Sequence, residues 1–82
     1  MTKLDDRILE YLDDEGMATP SVMAQTFRFT ASSLRIRSRC WTLVEREMVA
    51  PVHADMFEVT RWGQAYLRGD LDAEYLPRHS VG

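Results

Sequence analysis

Eighty-two residues, 45% hydrophobic and 28% charged, make one globular domain, too short to hold two cores and too apolar for a disordered chain. The single Cys40 excludes an internal disulfide, no apolar run approaches the roughly 18 to 20 residues of a membrane span, and the acidic, polar start lacks a signal peptide's apolar stretch, so the protein is expected in the cytoplasm. The net charge of −3 hides a contrast: residues 28 to 46 carry Arg28, Arg35, Arg37, Arg39 and Arg46 against Glu45 alone, a net +4, whereas residues 3 to 15 carry Lys3 and Arg7 against six acids, a net −4.

Thr2, with Asp5 three residues on, forms the pattern of a capping box, and Leu4, Ile8 and Leu12 recur at helical spacing. A first helix is expected to about Asp14, closed by Gly16, with Asp5 and Asp6 solvated at the positive end of its dipole. Thr19 and Pro20 supply an N-cap and a first helical residue for a short second helix to about Thr26, with Val22, Ala24 and Phe27 as its buried side. Arg28 and Phe29 then turn the chain, and Thr30 is the expected cap of a third helix, the longest, from Ala31 to about Arg46. Ile36, Cys40, Leu43 and Val44 form its core stripe, which leaves Arg35, Ser38, Thr42 and Arg46 opposite. Leu34 and Trp41 lie off that stripe as an apolar strip, open either to a partner or to packing from a neighbouring element.

The β-favouring residues Val49, Val52, Phe57 and Val59 flank Ala54-Asp55, so a hairpin is expected from about Val49 to Val59, with Pro51 at an edge. Thr60 caps a last helix containing Ala65, Tyr66 and Leu67, interrupted at Gly69; Leu71, Tyr75 and Leu76 extend or pack a tail that Pro77 stops. The domain is thus residues 1–76, with 77–82 as a disordered tail.

Helix, short helix, turn, Arg-rich helix, hairpin and helix is the order of an α+β winged helix-turn-helix, whose recognition helix fits the DNA major groove. Four segments carry a family resemblance: Leu4-Asp5-Asp6-Arg7-Ile8-Leu9-Glu10-Tyr11-Leu12, Thr19-Pro20, Glu47-Met48-Val49, and Val59 through Ala73. On these the chain resembles the small haloarchaeal winged-helix regulators of the phage repressor-like type. That resemblance implies DNA binding and transcriptional control. Glu47 departs from the glycine that commonly ends the family's recognition helix, and the hairpin tip has no Lys or Arg.

The expected DNA-contacting residues are Arg28, Ser32, Ser33, Arg35, Arg37, Arg39 and Arg46, because guanidinium forks and helix-start hydroxyls reach phosphates and base edges. A domain this small with no disulfide or metal staple is expected to gain burial from a second copy, through Trp62, Tyr66 and Tyr75. Cys40 reads as a buried hydrophobe. His53 and His79 have no ligand spacing, the glycines form no phosphate loop, and no acid pair converges, so neither cofactor, metal nor catalysis is expected. The expected function is that of a dimeric, sequence-specific double-stranded DNA-binding regulator, a repressor by preference. The alternative is a winged-helix protein-interaction module without DNA binding, using Leu34, Trp41 and the acidic faces.

Overall fold

The computed structural model describes residues 1–70. Within them every helix opens on a hydroxyl: Thr2, Thr19, Ser32 and Thr60 each accept the backbone N–H three residues on, satisfying one of the first-turn donors that have no partner inside the helix. These caps start α1 (Lys3–Glu15), α2 (Pro20–Ala24), α3 (Ser33–Glu45) and α4 (Arg61–Leu67); the hairpin of β1 (Val49–His53) and β2 (Met56–Val59) lies between α3 and α4. Thr2 and Asp5 complete the capping box reciprocally, at 3.1 and 3.0 Å.

Ile8, Leu9 and Leu12 of α1, Met23 of α2, Ile36, Cys40 and Leu43 of α3, and Met48, Val49 and Phe57 around the hairpin are buried in one core. This is a winged helix of the α+β class. Two expectations about α2 fail. Val22 is exposed and Phe27 is 98% exposed, while Met23 is fully buried and Phe29 sits edge-on against Tyr11 at 5.8 Å. Starting the helix at Pro20 turns Pro20 and Met23, at i and i+3, toward the core, so Val22 points outward. The cap of α3 is Ser32 rather than Thr30, which shortens that helix to 13 residues, equal to α1 rather than longer.

The chain leaves α3 through a left-handed residue, Glu47, at φ 64. Glu47 N–H donates to the Val44 carbonyl at 2.9 Å and Met48 N–H to the Leu43 carbonyl at 3.0 Å, a Schellman closure with its apolar pair Leu43 and Met48 buried together. A position that favours glycine is therefore held by a glutamate.

β1 and β2 pair antiparallel, Val49 with Val59 and Pro51 with Phe57, before an irregularity between Pro51 and His53. Phe57 turns both of its backbone groups away from Pro51, to Ala18 on the other side, at 2.9 and 3.1 Å. Pro51, which has no N–H to give, therefore occupies an edge where none is required.

Thr60 then ties the hairpin to α4. Its hydroxyl donates to the Glu47 carbonyl at 2.6 Å and accepts from Gly63 N–H at 3.2 Å. Gly63 is buried, and a Cβ there would run into the Met48 carbonyl oxygen and a Val59 methyl, so α4 comes this close only because position 63 has no side chain.

Candidate nucleic-acid interface

α3 packs on α1, α2 and β1. Its inward stripe is Ile36, Cys40 and Leu43, and its outward side presents Leu34, Arg35, Ser38, Trp41 and Glu45. What this helix offers a ligand depends on where its arginines go.

Arg39 goes inward. Its Nε and Nη2 donate to the two carboxylate oxygens of Asp5 at 2.8 Å each, and Asp5 is fully buried. Burial works to raise the Asp5 pKa, but the Arg39 hydrogen bonds, the Thr2 N–H and the Arg39 charge outweigh it and hold the carboxyl below its ordinary 3.8. Asp5 was expected to be solvated at the start of α1; instead it shares the stripe of Ile8, Leu9 and Leu12, at i, i+3, i+4 and i+7. That spacing signals a carboxylate in need of a buried partner, but which arginine supplies it depends on how α1 packs on α3.

Arg37 reaches sideways to the hairpin turn, where Nη2 donates to Asp55 at 2.6 Å; Nε is buried without a partner among the described residues. Arg28 donates to Asp14 at 3.2 Å and lies 5.1 Å over the Tyr11 ring. Arg35 is exposed on the first turn of α3 with no carboxylate partner among the described residues. Arg46 caps the far end, its N–H shared among the last carbonyls of the helix. The Ser32 hydroxyl accepts from Arg35 N–H, and Ser33 is the half-buried first residue of the helix. Of the arginines expected to act together, the structure leaves Arg35 open, ties Arg28 and Arg37 to surface carboxylates and commits the partly exposed Arg39 to the buried Asp5.

The chain is similar to a PhiH1 repressor-like protein from Haloarcula marismortui: its crystal structure matches at a TM-score of 0.86 with 32% identity, over 89% of this chain and 83% of that one. The chain belongs to the PhiH1 repressor-like family. No protein-family model and no curated protein sequence matches it. The family resemblance read from the sequence thus agrees with a solved structure, and α3 is the second helix of its helix-turn-helix unit.

The hairpin of this family member carries no Lys or Arg; His53, Asp55 and Glu58 are its polar residues beside Met56. Trp41 is 46% exposed because the hairpin's Phe57 meets it edge-on at 5.2 Å, whereas Leu34 is 75% exposed with no such cover. The apolar strip of α3 is therefore half covered by the hairpin. Trp62 is exposed on α4, and Tyr66 packs against the core and donates its hydroxyl to Asp6 at 2.8 Å. Tyr75, the third aromatic expected at a dimer interface, lies outside the described residues. Cys40 is buried, and that burial, with the charges of Asp5 and Asp55, pushes its thiol up to about 12. It stays protonated near neutral pH and is a poor nucleophile. Among the described residues no group of three or more His, Cys, Asp or Glu is placed to hold a metal, and no helix is long and apolar enough to cross a membrane.

Proposed function

We propose that this protein binds double-stranded DNA as a transcription regulator, a repressor, with α3 in the major groove. The observation that carries the reading is the outward side of α3: in a repressor-like winged helix, the unpaired Arg35 stands beside Ser38 with no core contact to hold it back. A guanidinium there suits bidentate contact with a guanine edge or a phosphate. Arg28 and Arg37 serve as flanking phosphate contacts, because their pairs with Asp14 and Asp55 are at the surface, where such pairs are worth about 0 to 1 kcal/mol, and a phosphate can displace the carboxylate. Arg46 and the serines at the start of α3 complete the set; Arg39 positions the helix rather than touching DNA. A homodimer joined through Trp62 would give two half-sites.

The test is an anisotropy titration against duplexes from upstream of the protein's own locus and against random DNA. Arg35→Ala is expected to weaken binding by about ten- to hundredfold, on the order of 1 to 3 kcal/mol, with thermal melting unchanged. Equal and weak binding by wild type and variant at low salt would end the DNA reading. A second reading has its own observation, the exposed Leu34 beside the half-exposed Trp41, with Arg35 left as the one α3 arginine on that side. In that case α3 docks a protein partner, and Leu34→Ala, not Arg35→Ala, removes the activity.

A further inference from the structure

Lys3 and Arg7 stand one turn apart on α1, Arg28 lies in the turn after α2, and Arg35 is on the first turn of α3; together with Phe27 and Phe29 they line one concavity of about 410 Å³. No carboxylate is among its lining residues within the described part of the chain. In a protein with more acids than bases this is an unusual patch. Of the nearby acids, Asp5 holds Arg39 and Asp6 accepts from Tyr66, while Asp6 and Glu10 share a second, more open groove with Lys3 and Arg7 without forming an ion pair with either. Asp14 holds Arg28 from outside, leaving Lys3, Arg7 and Arg35 with no ion-pair partner among the described residues.

Like charges gathered in a concavity repel one another and focus a positive field into it, an arrangement that an anion relieves. We infer that this concavity is a phosphate site formed by Lys3, Arg7, Arg28 and Arg35. Three guanidiniums and an ammonium from three chain segments surround a tetrahedral group with several acceptor oxygens better than they surround a single planar carboxylate. The volume admits the phosphate with its attached sugar. Arg35 belongs both to this concavity and to the outward side of α3, so a duplex seated on α3 brings its own backbone to the opening, and the DNA backbone is the source of the phosphate. The inference rests on the DNA-binding reading for that source, and it adds Lys3 and Arg7, which lie on the acidic helix and outside the arginine-rich segment. It also gives this protein a backbone grip that its cation-free hairpin does not supply.

The experiment uses the double variant Lys3→Gln/Arg7→Gln, both positions being exposed. In the first arm, random and locus duplexes are titrated at several salt concentrations. The variant is expected to bind both about tenfold more weakly at low salt and to lower the log-log salt slope by about one, with sequence preference and melting temperature unchanged. In the second arm, inorganic pyrophosphate is titrated into isotope-labelled protein without DNA. Amide shifts confined to residues 3 to 7 and 27 to 35, absent in the double variant, establish the site. Such shifts with an unchanged DNA slope overturn the backbone as its source and assign the site to a free phosphorylated compound. If wild type binds no DNA, the functional reading fails and the pyrophosphate arm alone decides the site. Absence of localised shifts together with an unchanged slope overturns the inference.

Discussion

Arg37 and Arg39 stand two residues apart on α3, in the same basic stretch, and the fold gives them opposite tasks. Arg39 meets a fully buried carboxylate with both ends of its fork, whereas Arg37 meets Asp55 through one nitrogen at a junction where the two side chains remain 44% and 37% exposed. The first pair fastens α1 to α3; the second rests the hairpin turn against α3. An arginine's role is thus set by the depth of the carboxylate facing it. Removing one member of a buried pair leaves an uncompensated charge, but removing one member of an exposed pair returns a charge to water.

The largest expected effect is at the buried pair. Arg39→Ala should lower the unfolding free energy by about 3 to 5 kcal/mol, since it strands the fully buried Asp5, and Asp5→Ala should cost less, because the Arg39 side chain is 32% exposed and stays in reach of water. Urea melts measure this, and a loss below 1 kcal/mol for both would erase the distinction between the two junctions. Acid sharpens the same contrast. Because the folded-state Asp5 carboxyl titrates below its ordinary value, its stabilisation is complete above about pH 4 and is lost as pH falls through the folded value. Wild type should therefore lose more stability between pH 5 and pH 2 than Asp5→Asn does; parallel curves would contradict the assignment.

Asp55→Asn should change stability by less than about 1 kcal/mol, yet free Arg37 for phosphate. Tighter binding to random duplex with the salt slope little changed is the expected outcome of an anisotropy titration, since the same phosphate contact forms without first displacing Asp55. If the variant binds as wild type does, Arg37 takes no part in phosphate contact. The smallest expected effect lies just past the helix, where Glu47→Gly relieves a left-handed side chain at φ 64 and loses some of the gain to the greater freedom of the unfolded glycine. A gain of up to about 1 kcal/mol in thermal melting is expected.

Element order and most helix starts were readable because caps and periodicity are local: Thr2, Thr19 and Thr60 satisfy N–H groups three residues away, and a hairpin follows from β-favouring residues about a two-residue turn. Thr30 failed as a cap because two hydroxyl residues competed within three positions, and only the path of the chain after Phe29 selects Ser32. Val22 and Phe27 failed because a five-residue helix has too few turns for its own pattern to reveal which side faces inward; Met23 was chosen by where α1 and α3 lie. The basic character of α3 was likewise visible, but not its distribution.

Charge along a chain is a sum over neighbours in sequence, and pairing depends on neighbours in space. Asp5 is 34 residues from Arg39 and Asp55 is 18 from Arg37. Short-range capping, periodicity and composition are enough to specify a winged helix with an arginine-rich third helix. Which arginine is structural, which rests against the hairpin, and which stands open beside Lys3 and Arg7 of the acidic first helix follows from the folded arrangement. Those outcomes depend on packing α1 and the hairpin against α3, contacts between segments too distant for any local pattern to encode.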